Sequence, residues 1–238
     1  MARTFNQSDY DNKRKEILQS VRKLIYTMGY DQMSIQDILS DLGISKGAFY
    51  HYFKSKPDLL EGLVDQMMDE ALLVIEPVAE DPSMNAMEKL KQYFLRASVW
   101  KVDQIEYLIP IFKVWYQDEN VLVREKALVA TLRSIIPSLT KIIRQGVVEG
   151  VFNTPYPDCL AEVVYILFYG MGNTLSRALI LKPDESFDEG KFYNSVKVYS
   201  TSLDRILGIP DGSLEIINTD ALKKWIPAIL SQPNGQKK

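Results

Sequence analysis

An all-α fold is predicted: three short helices at the amino end, arranged as a helix-turn-helix, with a larger helical body behind them. Three observations predict it. Apolar residues recur at the three- and four-residue spacing of a helix along most of the 238 residues. No stretch alternates apolar and polar residues over the length of a strand. The glycine turn Leu42-Gly43-Ile44 joins two short amphipathic segments, which is the layout of a helix-turn-helix.

Each element has its own signal. Over residues 10 to 28, Ile17, Leu18, Val21, Leu24, Ile25 and Met28 fall on one arc of a helical wheel, and Gly29 follows as a stop. Ser34, with Asp37 three residues on, makes a capping-box-like start in which Asp replaces the usual Glu, and this second helix ends at Leu42-Gly43. Ser45 caps a third helix through Phe53. Ser55 caps a fourth, where Pro57 sits among first-turn residues whose N–H groups have no helical partner and Asp58 suits the positive end of the dipole. That helix runs to about Ile75. Beyond Pro82 the helical pattern covers 84 to 101, 103 to 116, 119 to 146, 157 to 181 and 187 to 207, broken by Pro/Gly/Asn clusters at 146 to 157 and 182 to 190. Leu222, Trp225, Ile226, Ile229 and Leu230 make one more amphipathic stretch, interrupted by Pro227, ahead of a polar tail read as disordered.

Composition narrows the function classes. With 46% hydrophobic residues the chain can bury a sizeable core, so overall disorder is excluded. The lone cysteine, Cys159, makes neither an internal disulfide nor a metal cluster, which suits a reducing compartment. The opening MARTFNQSDYDNKRKE lacks the apolar core of a secretory signal, so none is expected, and the longest uncharged run, 163 to 176, is shorter than the roughly 20 residues a membrane helix needs. A cytoplasmic protein with no membrane partner is expected. Residues 1 to 60 carry nine Lys or Arg against seven Asp or Glu, whereas the remainder carries 19 against 24. An anionic partner would therefore meet the amino-terminal part.

The stretch GISKGAFYHYFKSK, 43 to 56, concentrates the chemistry. On a helical wheel Phe49 and Phe53 share one side, read as core, while Lys46, Gly47, Tyr50, His51 and Lys54 share the other. A helix with an apolar inner side and a small, basic and aromatic outer side, placed second after a tight turn, suits the major groove of double-stranded DNA. Lys46 in the first turn can donate to guanine acceptors, and Gly47 lets the backbone come close. Tyr50, His51 and Tyr52 can donate to phosphate oxygens. Tyr52 lies beside the apolar arc, so core and DNA contact both stay open for it. Ser34 and Lys56, at the starts of the second and fourth helices, add free N–H groups and charge that attract phosphate. Ser45, as a cap beside Lys46, is counted with these contacts. His51 has no second histidine or nearby cysteine with which to hold a metal or act as a base.

These residues resemble the DNA-binding domain of TetR/AcrR-type transcriptional regulators over residues 10 to 75. The matching pattern runs from Gly29-Tyr30 through Ser34, Ile38, LGISKGAFYHYFKSK and Leu59-Leu60. Leu39 and Leu42 stand where the family commonly has alanine, and Pro57 where it commonly has glutamate. The resemblance implies base contact from Lys46 and Gly47, and phosphate contact from Ser34, Tyr50, His51, Tyr52 and Lys56. It also implies a homodimer on a pseudo-palindromic operator and a small-molecule effector bound within the body, with a DNA-binding domain at 1–55 and a ligand-binding and dimerisation domain at 56–238.

In the larger part, Phe192, Val196, Tyr199 and Leu203 are spaced 4-3-4, the seam of a helix packed nearly parallel to a neighbour, and Gly170 and Gly172 would let another helix approach. Internal core fits that spacing equally well, and the resemblance favours dimerisation. Trp100, Phe112, Trp115 and Phe168 are the candidate effector contacts, in a region where Pro110 and Pro137 are expected to interrupt helices and leave room. Core packing is the competing reading for each. No Gly-rich phosphate loop, metal-ligand spacing or nucleophile–base pair is present, and Gly170-Met171-Gly172 inside an apolar helix is not a nucleotide loop. No enzyme, cofactor or metal is expected. The leading function is a ligand-released repressor, and the rival is an all-helical protein-interaction module.

Overall fold

A computed structural model describes residues 6–177 and 188–214. The amphipathic stretch around Leu222 and Trp225, and the polar tail after it, lie outside the described residues. Among the described residues there is no strand. The order is α1 (Gln7–Met28), α2 (Ile35–Leu42), α3 (Lys46–Tyr50), α4 (Lys56–Glu80), α5 (Ala86–Asp103), α6 (Ile105–Trp115), a 3-10 turn at Asp118–Asn120, α7 (Val121–Val148), α8 (Pro157–Ser176) and α9 (Glu189–Leu207). The all-α reading holds. The described residues divide into two compact units, an N-terminal one of 6–67 with 106–127 and a body unit of 68–105 with 128–177 and 188–214.

In the N-terminal unit, Ile17, Leu18, Val21 and Ile25 of α1 are buried with Ile38, Leu39, Phe49, Phe53, Leu59, Leu60 and Leu63, one apolar cluster drawn from α1 to α4. The caps expected from the sequence form. Ser34 Oγ accepts from Asp37 N at 3.2 Å while the Asp37 carboxylate accepts from Ser34 N at 2.8 Å, a reciprocal box with Asp doing the work of Glu. Gly43 ends α2 in the left-handed region, φ 61°, which glycine adopts without strain. Ser55 Oγ accepts from Asp58 N at 3.2 Å.

The third helix is shorter than expected, ending at Tyr50 instead of Phe53. Its last carbonyl bonds explain the stop: Phe49 O takes both Tyr52 N at 2.9 Å and Phe53 N at 3.1 Å, so the helix tightens into a turn. Pro110 and Pro137 do not interrupt their helices. α6 continues through the first and α7 through the second, as α4 does through Pro77. A proline removes one amide bond and crowds one preceding turn, and the turns on either side keep the rest.

In the body unit, Leu90, Phe94, Leu139, Ile142, Ile143, Phe152, Val164 and Leu203 are buried. A polar clamp ties the ends of three helices. Lys89 Nζ donates to Ala79 O at 3.0 Å and Gln145 Oε1 at 2.8 Å, Gln145 Nε2 donates to Met84 O at 3.1 Å, and Glu149 Oε2 accepts from Ala86 N at 2.8 Å. Each buried polar group there has a partner, which is the condition for burying it. After α9 the chain is pinned: buried Asp204 accepts from Gly212 N at 2.7 Å and Leu214 N at 2.9 Å. Among the described residues no helix is long and apolar enough to cross a membrane.

Candidate nucleic-acid interface

The turn between α2 and α3 is fixed from both sides. Gly43 N and Ile44 N both bond to Leu39 O, and Ser45 Oγ then accepts from Ala48 N at 3.2 Å to start α3. Phe49 is the one buried residue of α3, at 0% exposure, with its ring 6.1 Å from Phe53 and edge-on to Tyr50 at 5.4 Å. That single anchor leaves Lys46, Gly47, Ala48 and Tyr50 facing solvent, followed by exposed His51.

The expected contact residues are exposed with two exceptions. A side chain at Gly47 would approach nothing but Ser45 Oγ, so the position is open. Lys46 Nζ lies 6.0 Å from the Tyr50 ring, at the edge of cation–π range, and appears in no ion pair of the described residues. Ser34 and Ser45 are exposed, but their hydroxyls already serve as caps. The first exception is Tyr52, which is half-buried: its ring lies 4.8 Å from Tyr10 of α1. Tyr10 also meets His51 edge-on at 5.6 Å. The second is Lys56, whose ammonium sits 4.5 Å over the Tyr30 ring and donates to Asp31 O at 3.3 Å. Burial pulls its pKa below the ordinary lysine value, offset in part by the charge of Asp31.

Tyr10 and Tyr30 brace these residues and were not among the sequence candidates. Tyr10 stands seven residues before Ile17 and so continues the buried arc of α1 by two turns, a signal that periodicity does carry. Tyr30 is 7% exposed and its hydroxyl donates to Lys56 O at 2.9 Å, a contact between residues 26 apart in sequence. Burial first, and the Asp31 carboxylate second, hold its phenol well above the usual tyrosine range, so it is a donor at every relevant pH. The α1–α2 angle is held by Asp41, which accepts from Ser20 Oγ at 2.8 Å and Lys23 Nζ at 2.6 Å. Those bonds, Lys23 first, hold the Asp41 carboxyl below its usual range.

The remaining candidates fall elsewhere. Trp100 and Phe168 are half-buried residues of the body unit, while Phe112 and Trp115 belong to the N-terminal unit. On α9, Phe192 is 4% and Leu203 0% exposed within their own chain, so neither offers surface to a second copy. Val196 and Tyr199 are half-buried, with the Tyr199 hydroxyl 3.1 Å from Thr174 Oγ1 on α8. Gly170 faces that same Tyr199, whereas Gly172 faces open space. Outward apolar residues of α8 and α9 are Val163, Ile166 and Val198. No group of three or more His, Cys, Asp or Glu able to hold a metal occurs among the described residues.

Residues 17–63 match the family profile described as bacterial regulatory proteins, tetR family. The HTH-type transcriptional regulator YfiR of Bacillus subtilis is 21% identical over 194 residues, covering 79% of this chain and 90% of that one. The HTH-type transcriptional repressor KstR2 of Mycobacterium tuberculosis is 24% identical over 159 residues, 65% of this chain and 75% of that one. A TetR-family regulator crystal structure from Pectobacterium atrosepticum superposes with a TM-score of 0.64 at 17% identity, covering 87% of this chain and 100% of the other.

Proposed function

We propose that this chain, a TetR-type regulator, acts as a homodimeric repressor that reads a pseudo-palindromic operator in double-stranded DNA and lets go when a small molecule binds its body. The observation that carries the reading is the division of α3: Phe49 is buried and Lys46, Gly47 and Tyr50 are exposed beside His51. In this arrangement Lys46 and Gly47 meet base edges. Ser34, Ser45, Tyr50, His51 and Lys56 contact phosphate, the two serines chiefly through the N–H groups their caps orient. Tyr52, stacked on Tyr10, contributes through its hydroxyl rim.

One α3 makes few base contacts, so two copies are needed, on half-sites roughly 34 to 36 Å apart or a multiple of that. The exposed Val163, Ile166 and Val198 on α8 and α9 support a self-association face there. The functional division is 1–55 for DNA and 56–238 for ligand and self-association. Repression is supported by the repressor among the relatives, and an effector that prefers the wrong spacing of the two reading helices releases DNA by shifting that equilibrium. The setting is the cytoplasm, and no enzymatic step is involved.

Selection of bound sequences from a random duplex pool tests this directly. Enrichment of an inverted repeat is the expected outcome. Failure to retain any duplex at low salt, where phosphate contacts are strongest, overturns the proposal.

A further inference from the structure

Two polar groups on α5 in the body unit have no hydrogen-bond or ion-pair partner among the described residues, and they flank one pair of packed rings, Tyr93 against Phe94 at 6.3 Å and Lys101 over Phe168. Tyr93 is 3% exposed, and its buried hydroxyl has no hydrogen-bond partner among the described residues. Buried polar groups in folded proteins are nearly always paired, so an orphan of this kind marks a place where something else supplies the partner. Burial, with smaller contributions from Glu76 and Tyr165, holds the Tyr93 phenol far above its usual pKa and so keeps it a donor. Lys101, two turns further along the same helix, carries its ammonium 5.0 Å above the ring of Phe168. That ring lies 4.8 Å from Phe94, the residue next to Tyr93.

Lys101 appears in no ion pair of the described residues. Desolvation pushes its ammonium down to about 8, with no carboxylate among the described residues offsetting it. The face of one phenyl ring compensates only part of that cost. Lys101 is half-buried by accessible surface, and Lys89, the fully buried lysine of this unit, shows the contrast: it is 4% exposed and satisfied by Ala79 O and Gln145 Oε1.

We infer that the effector is an amphipathic organic anion whose acid group pairs with Lys101, whose apolar part lies along Phe94 and Phe168, and which the Tyr93 hydroxyl can reach as donor. The inference rests on the proposed effector-responsive function. Of the aromatics expected at the site it keeps Phe168 and replaces the others with Tyr93, Phe94 and Lys101. The charge-assisted bond selects the acid over a neutral analogue, and the two rings reward an apolar chain or ring on the ligand.

Calorimetric titration of the full-length protein with decanoate, decan-1-ol and decylamine tests it. Decanoate is expected to bind at least about tenfold tighter than the other two, the discrimination that one charge-assisted hydrogen bond supplies. Lys101→Met, which keeps the stem and removes the charge, is expected to abolish that preference and to melt no lower than the parent without ligand. Tyr93→Phe, which deletes only the orphan hydroxyl, is also expected to melt no lower. Equal binding of acid and alcohol by the parent, a preference that survives Lys101→Met, or a lower melting temperature for that variant would each overturn the site. Release of the selected duplex is read separately by anisotropy. Decanoate binding through Lys101 without release overturns the effector reading and leaves the anion site standing; absence of decanoate binding with the duplex still held overturns the site and leaves the DNA reading standing.

Discussion

Lys56→Ala separates two jobs that one side chain performs. In the folded protein the ammonium rests 4.5 Å over Tyr30 and donates to Asp31 O at 3.3 Å. A cation–π contact at a partly exposed site contributes about 0.5 to 1 kcal/mol. A long, solvent-accessible hydrogen bond adds no more than about 0.5 kcal/mol. Removing both should cost about 1 kcal/mol of folding stability, or about 2 to 4 °C in melting temperature for a chain of this size. On DNA the same substitution deletes one proposed phosphate contact per protomer, which lowers the magnitude of the log affinity against log salt slope by about one for each copy. Calorimetry gives the first quantity, and anisotropy titrations from low to moderate salt, on operator and on random duplex, give the second. A variant that melts with the parent refutes the bracing of Lys56, and an unchanged salt slope refutes its phosphate role.

Lys46→Ala touches only the second kind of job, because among the described residues Lys46 makes no contact beyond its approach to the Tyr50 ring; it should weaken operator binding by about 1 to 3 kcal/mol with no change in melting, and equal loss on random duplex would remove it from base reading. Asp37 has its carboxyl held below the usual range by Ser34, side chain first and backbone second, so its contribution is present above the unfolded carboxylate pKa and is lost as pH falls through the lower folded value. Asp37→Asn should therefore flatten the acid limb of a stability–pH curve from urea melts, and an unaltered limb would show the box to be energetically idle. Gly146→Ala would place a methyl group inside the contact radius of the buried Phe152 ring, costing about 1 to 3 kcal/mol against the about 1 kcal/mol that alanine gains over glycine in a helix; a more stable variant would show that the ring has room to move. Paired Ile166→Glu and Val198→Glu changes should give monomers in sedimentation, and unchanged mass would move the proposed self-association face elsewhere.

Local chemistry was legible in advance, and long-range contacts were not. The Ser34–Asp37 box, the Gly43 stop and the inward Phe49 follow from spacing within a few residues, where cap geometry and helical period act. The early end of α3 turned on competition for Phe49 O, which the wheel does not register. The expectation that Pro110 and Pro137 break their helices weighed one lost bond without the many that flanking turns retain. Tyr30 against Lys56 and Tyr10 against Tyr52 join residues far apart in sequence, so their pairing depends on how α1 meets the later helices. On α9 the 4-3 spacing fitted core and self-association equally, and the burial of Phe192 and Leu203 in a single chain assigns those two to core. A lone lysine such as Lys101 carries no pattern in sequence; its place over the Phe168 ring, with no ion pair among the described residues, emerges only in the fold.

On α3 the side chain that glues the rod in place and those that point away from the protein form two lists with no shared member. An experimenter who wants a new target sequence can therefore randomise positions 46 and 47 without touching the anchor at 49, whereas Tyr50, edge-on to Phe49 at 5.4 Å, is better held fixed. Few short helices allow their address to be rewritten while their mooring is left alone.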